Sequence, residues 1–134
     1  MADTFELQVV TPERQLVKDQ VEEAQIPAKN GYLGVLAGHA PLLTELGNGV
    51  LFYALGGKRQ YLSIAGGFAE VLPDQVRVLA NASERAEEID VDRARKAKER
   101  AAAELANPAS GADPAVALDA IGRADARLDA AAHK

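Results

Sequence analysis

Apolar and polar residues alternate along the first part of the chain. Phe5, Leu7 and Val9 interleave with Thr4, Glu6 and Gln8, the period of a strand with one face on a core and the other toward water. Leu16 to Ile26 holds two more such stretches, with Val21 and Ile26 among the inward candidates. Tyr32 to Leu36 follows Asn30-Gly31, a strong turn signal. Val50 to Leu55 and Gln60 to Ile64 flank Gly56-Gly57-Lys58-Arg59 and predict a tight hairpin. Phe68 to Leu72 and Gln75 to Leu79 flank Pro73-Asp74 and predict a second. About eight or more short strands with frequent turns indicate an all-β sandwich or flattened barrel.

The pattern changes near Ser83. Beyond Glu88 there is almost no β-branched content, and Ala, Arg, Lys, Glu and Asp dominate, residues suited to helices and their ends. Asp90 can cap a helix running to about Ala106, and Asn107-Pro108-Ala109-Ser110-Gly111 breaks it. Asp113-Pro114 restarts it, with Asp as the cap and Pro in the first turn. Ala117, Ile121, Ala124 and Leu128 form one stripe of the second helix, and Ile89, Ala94, Ala97, Ala101 and Leu105 lie on one side of the first. The predicted fold is therefore α+β in two parts: a β-sandwich over 1–84, then an antiparallel αα-hairpin over 85–134. The hairpin's contact stripe is mostly alanine, which buries little area. Such a hairpin is only marginally stable alone and can leave its neighbour at low cost.

Composition narrows the function classes. The 134 residues carry a formal net charge of -5, which argues against a nucleic-acid partner, since phosphate backbones need a basic surface. There is no cysteine, hence no disulfide framework and no Cys-based metal site. No apolar run approaches the roughly 20 residues of a membrane span. The opening Met-Ala-Asp-Thr-Phe lacks the layout of a secretory signal or a transit peptide. His39 is the residue a catalytic reading would reach for, yet no serine, cysteine or second histidine is placed to act with it. A turn histidine satisfying local backbone groups beside Pro41 accounts for it. His133 falls at the C-terminus, where chains fray. Gly31, Gly34 and Gly38, like Gly66-Gly67, lack the following G-K-S or G-K-T of a phosphate loop and are turn and close-packing glycines.

The segment Gly31-Tyr32-Leu33-Gly34-Val35-Leu36-Ala37-Gly38-His39-Ala40-Pro41-Leu42-Leu43-Thr44 resembles the signature of the epsilon subunit of the bacterial-type rotary ATP synthase, G-x-L-G-x-x-x-G-H-A-P-L-L-T. Leu62 to Val71 is similar to that family's S-x-G-G-x-x-E-V stretch, displaced by Ile64-Ala65, and Val76 to Leu79 matches its next strand. The opening Leu7-Gln8-Val9-Val10-Thr11-Pro12-Glu13 also fits, so the matches run in order along the whole chain. The resemblance implies a non-catalytic subunit that couples proton-driven rotation to ATP synthesis at the cytoplasmic face of the bacterial plasma membrane. It reaches that membrane only through its complex. Its sandwich would grip the gamma subunit and sit on the c-ring, with Tyr32 and His39 as contact candidates; relatives often carry an acid near Tyr32. Its hairpin would fold against the sandwich, or extend along gamma toward the alpha and beta subunits and block hydrolysis.

Ile89-Asp90-Val91-Asp92-Arg93-Ala94 is similar to I-D-x-x-R-A, the nucleotide motif of ATP-binding epsilon subunits. Arg93 and Arg100 share a face of the first helix, as Arg123 and Arg127 share one of the second. Antiparallel packing lets these faces converge on a triphosphate, to which guanidinium forks bind bidentately. Taken alone, charged helices usually present a solvated face, with Asp125 and Asp129 able to neutralise Arg127 and Arg123. By resemblance, Arg93, Arg123 and Arg127 would hold phosphates, with Arg100 a further candidate. Ile89, Ala94 and Leu79 would line the base, and Glu84 and Asp90 would meet its polar edge or the ribose. Asp90 also has its capping role. ATP would be a regulatory ligand, with no cofactor required and no metal site. Nothing positions a water for hydrolysis, and repulsion among the arginines would favour opening when ATP falls. The alternatives are a β-sandwich enzyme with a helical lid, a free-standing ligand-binding module, and an epsilon subunit with purely structural helices.

Overall fold

The structure is a computed structural model that describes residues 3–134. Seven strands come first: β1 (Phe5–Val10), β2 (Gln15–Val21), β3 (Glu23–Ala28), β4 (Gly31–Leu36), β5 (Leu42–Leu55), β6 (Lys58–Val71) and β7 (Gln75–Arg85). A short 3₁₀ turn over Ala86–Glu88 leads to α1 (Val91–Ala106), and α2 (Pro114–Ala131) follows. One sheet holds the strands in the order β2-β1-β7-β6-β5-β3-β4. All neighbours are antiparallel except β1 and β7. The sheet is not closed, but it doubles over into a sandwich. β2 touches β5 although three strands separate them in the order. At that seam the Glu22 N–H donates to Ala54 O at 2.8 Å.

The expected count of strands falls by one because two of them are a single strand. Gln60 to Ile64 and Phe68 to Leu72 belong to β6, which continues through Ala65-Gly66-Gly67. Gly66 and Gly67 have φ of +64° and +118°, yet the ladder to β7 keeps one register on both sides of them, from Ala65 opposite Ala82 to Gly67 opposite Ala80. A side chain at Gly67 would strike Leu79 O and the Ala80 backbone. β5 likewise begins at Leu42, not Val50, because Gly47 and Gly49 sit inside it as close-packing residues. A Cβ on Gly49 would lie 2.7 Å from Pro27 and 2.8 Å from the Tyr32 hydroxyl. The Gly56-Gly57 turn is as tight as expected, with φ of +60° and +78°, the twist a two-residue hairpin requires.

The core is the inward set of the alternation. Phe5, Leu7, Val9, Val21, Ile26, Leu51, Leu62, Ile64, Val71, Val76 and Val78 have almost no accessible surface. The caps are those the sequence predicts: Asp90 accepts from the Arg93 N–H at 3.0 Å, and Asp113 from the Ala115 N–H at 2.8 Å. The helices pack on each other, and α2 also lies on β5 and β6. Lys98 of α1 and Asp125 of α2 close the hairpin at 2.7 Å. The hydrogen bond to Asp125 raises the Lys98 pKa above its usual value. On α2, Ala117 and Ala124 of the expected stripe are buried, with Ile121 and Leu128 only partly so. A second stripe, Gly122, Ala126 and Ala130, faces the sheet: a Cβ on Gly122 would lie 3.0 Å from Asn48 Nδ2 of β5, and Ala130 packs with Ile89 and Val50. Among the described residues no helix is long and apolar enough to cross a membrane.

Candidate functional site

A groove of about 400 Å³ opens where the sheet and both helices meet. Ser63 and Ala65 of β6 and Glu84 of β7 form its floor; Arg93 of α1 and Arg123 and Arg127 of α2 stand over it. Each element delivers its side chain for a local reason. Ser63 and Glu84 are cross-strand partners on the outward face, and Ser63 Oγ accepts from the Glu84 N–H at 3.2 Å, fixing the acid's backbone. The Asp90 cap sets the first turn of α1, and with it Arg93. The four-residue spacing aligns Arg123 and Arg127 along α2. Three guanidiniums from two helices thus share one opening with one carboxylate.

The arginines are not bare. Arg127 Nε donates to Glu84 Oε1 at 2.6 Å, a bridge from α2 to the sheet in which Arg127 is only 22% exposed. Arg123 pairs with Asp119, one turn back on the same helix, and Asp119 also accepts from Asn48 Nδ2 at 2.9 Å. The neutralising acids are therefore Glu84 and Asp119, not Asp129 and Asp125; Asp125 is occupied by Lys98. Cross-strand pairing brings Glu84 close, and the sequence spacing within α2 gives no sign of it. Repulsion among four uncompensated guanidiniums does not describe this state of the molecule.

The other expected site residues are distributed as follows. Arg100 lies in an adjoining recess with Asp90, Asp92, Arg93, Lys96 and Arg127. Ala94 is wholly buried, and Ile89 is packed under the end of α2 with Ala130 and Ala131. Leu79 points outward beside its partner Phe68. The structure brings Arg93, Arg123, Arg127 and Glu84 together around the groove, with Arg100 and Asp90 next to it. Ile89, Ala94 and Leu79 do not line it. Tyr32 and His39 are not sequence neighbours: Tyr32 is the second residue of β4, and His39 lies in the loop past its other end. The Tyr32 hydroxyl accepts from the Val50 N–H at 3.2 Å. His39 sits in the loop after β4, its Nδ1 2.7 Å from Ala40 O, a local backbone bond of the kind expected for a turn histidine.

The family model described as ATP synthase, Delta/Epsilon chain, beta-sandwich domain matches residues 4–86. That described as ATP synthase, Delta/Epsilon chain, long alpha-helix domain matches residues 87–132. The ATP synthase epsilon chain of Solibacter usitatus is 60% identical over 134 residues, covering 100% of both chains. This chain belongs to the ATP synthase epsilon family. The epsilon chain of Nitratidesulfovibrio vulgaris is 44% identical over 128 residues, 96% of each chain. Among solved structures, a chain of the Euglena gracilis mitochondrial ATP synthase, resolved as OSCP/F1/c-ring, superposes with a TM-score of 0.83 at 30% identity. That match covers 97% of this chain and 82% of the other.

One surface of this epsilon-family chain escapes a motif-based reading. Leu43, Phe68 and Leu79 are 72%, 54% and 48% exposed. They lie at outward positions of β5, β6 and β7, with Glu45 opposite Phe68 and Glu70 opposite Leu43. The signal was present in the sequence, because each occupies the polar phase of its strand's alternation. An apolar row with a charged rim marks a contact surface.

Proposed function

We propose that this chain is the central-stalk subunit that couples rotor movement to ATP synthesis and restrains hydrolysis through its hairpin, with ATP as a non-hydrolysed regulatory ligand of the groove. The observation that carries the nucleotide reading is the convergence of Arg93, Arg123 and Arg127, from both helices, above Glu84 of the sheet. A triphosphate bridging the helices would favour the docked hairpin, since only docking brings those side chains together. In the stalk, the sandwich would bind the gamma subunit and rest on the c-ring, with Leu43, Phe68 and Leu79 as the apolar face for gamma. Tyr32 and His39 serve as separate contact points. The Euglena neighbour's place in an F1/c-ring assembly supports that reading. The released hairpin would meet alpha and beta, and its basic run Arg93, Arg95, Lys96, Lys98 and Arg100 suits an acidic partner surface. The subunit would then work peripherally at the cytoplasmic face of the plasma membrane, held there by the complex.

Isothermal titration of ATP into the full chain tests the nucleotide reading. Binding should weaken roughly tenfold to a hundredfold in Arg123→Ala and in Arg127→Ala, as expected for one charge-assisted bond each. No heat from the wild type at millimolar ATP sinks the sensor while leaving the stalk role intact. The competing reading is an epsilon subunit with purely structural helices. It draws support from the carboxylate partners that Arg123 and Arg127 already have, and it predicts that neither substitution alters ATP hydrolysis by the assembled synthase.

A further inference from the structure

The C-terminal residues, expected from sequence to fray, make a specific side-chain contact between hairpin and sheet. The His133 ring stacks on Tyr61 of β6, with centroids 3.9 Å apart and planes within 7°. Tyr61 in turn meets Phe52 of β5 at 5.9 Å, and Arg59 lies over the Phe52 ring at 4.4 Å. Lys134 Nζ donates to Ile89 O at 3.0 Å, hooking the chain end over the segment that leads into α1. Just before them, Ala130 and Ala131 close a small apolar cluster with Ile89, Val50 and Val91. Elsewhere the interface is mostly alanine and glycine, crossed by the Arg127–Glu84 and Asn48–Asp119 bonds at the groove. A ring on a ring adds a directional contact at the C-terminal end of α2.

We propose that the Phe52–Tyr61 pair is a docking platform for this chain's own C-terminus, and that His133 and Lys134 form the clasp that keeps the hairpin down. The clasp is distinct from the nucleotide groove: its residues lie at the far end of α2 from Asp119 and share no side chain with the arginine cluster. Release starts at this end. Once His133 leaves Tyr61, Ala130 and Ala131 have little to hold them, and the end of α2 can lift as far as the Arg127–Glu84 bridge, the next tie to the sheet. The consequence for hydrolysis rests on the proposed two-state hairpin, but the clasp itself does not.

Hydrogen–deuterium exchange of the full chain tests it. His133→Ala should speed exchange of the α2 amides from Arg127 onward about threefold to tenfold, the range for one aromatic pair. The β1 and β7 amides should not change. His133→Phe, which keeps a ring and discards the imidazole, should restore wild-type protection; Tyr61→Leu should match His133→Ala. Unchanged α2 exchange in His133→Ala overturns the clasp, as does failure of His133→Phe to rescue. In the assembled synthase, faster exchange with unaltered ATP hydrolysis would leave the clasp standing and remove the two-state reading.

Discussion

Replacing Ala126 by Leu tests how weakly the hairpin is held. Ala126 is 3% exposed on the stripe of α2 that faces the sheet, between Gly122 and Ala130. The clearance there is small: a Cβ at Gly122 would come within 3.0 Å of Asn48. The attraction to be overcome is also small. α2 buries five alanines, and at about 0.8 kcal/mol per buried methyl their sum is about 4 kcal/mol before ordering is subtracted. Overpacking a tight site costs about 1–3 kcal/mol, a large share of that sum. The equilibrium for lifting α2 should therefore move toward the open state by about fivefold to a hundredfold. Amide exchange of the full chain measures this directly. Protection of α2 should fall by that factor while β1, β6 and β7 keep theirs, because their core lies on the other side of the sheet. Ala102→Leu, at an exposed position of α1, is the control and should change nothing. Two outcomes refute the reasoning. Unchanged α2 protection means the interface has slack that its geometry denies. Equal loss across the sheet means that hairpin and sandwich form one cooperative unit.

Further predictions address the sandwich and its surface. Gly67→Ala should destabilise the β-domain by roughly 3 kcal/mol in urea unfolding, since the residue has φ +118° and no space for a methyl beside Leu79 O. Phe68→Asp should abolish co-purification with the gamma subunit while leaving the thermal midpoint within about 2 °C, because Phe68 is exposed and outside the core. The Glu88 pKa is held below its usual value, chiefly by the side-chain hydrogen bond from Arg14 at 2.9 Å. A depressed carboxylate stabilises above its unfolded pKa and loses that contribution as the pH falls through its folded one. Glu88→Gln should therefore lower the urea midpoint slightly at pH 7, and the difference should fade as the pH falls through the depressed folded pKa of Glu88.

How much of this was legible follows from which signals are local. Strand phase is local, so the inward set Phe5, Leu7 and Val9 and the Gly56-Gly57 turn could be read directly. So could both helix caps, because Asp90 and Asp113 act within three residues of themselves. The long strands were less legible, since glycine inside a strand and glycine in a turn look alike in one dimension. Gly66-Gly67 reads as a break, and only the unbroken pairing of Ala65 with Ala82 and Gly67 with Ala80 shows that the strand continues through it. The groove was half legible. Helical spacing gives the arginines of each helix, whereas Glu84 and Ser63 come from strands and are placed by pairing. The pairing of Tyr61 with His133 was beyond reach: 72 positions separate them, and neither carries a motif.

The carboxylates in the groove change what a nucleotide would have to do. Had the arginines been uncompensated, their repulsion would open the hairpin whenever ligand was absent, and ATP would merely suppress it. Instead Glu84 bridges Arg127 to the sheet, and Asp119 bridges Arg123 to Asn48, so two of the three groove arginines already have carboxylate partners without ligand. A triphosphate entering this groove must share or displace those acids, and its gain is the difference between phosphate and carboxylate as partners, not the full strength of either. That difference favours phosphate, which offers more oxygens to the guanidinium forks. It is still modest, and the alanine seam it must control is also weak. A switch of this kind works because both quantities are small: a ligand worth a few kcal/mol can govern only a hairpin held by about as much.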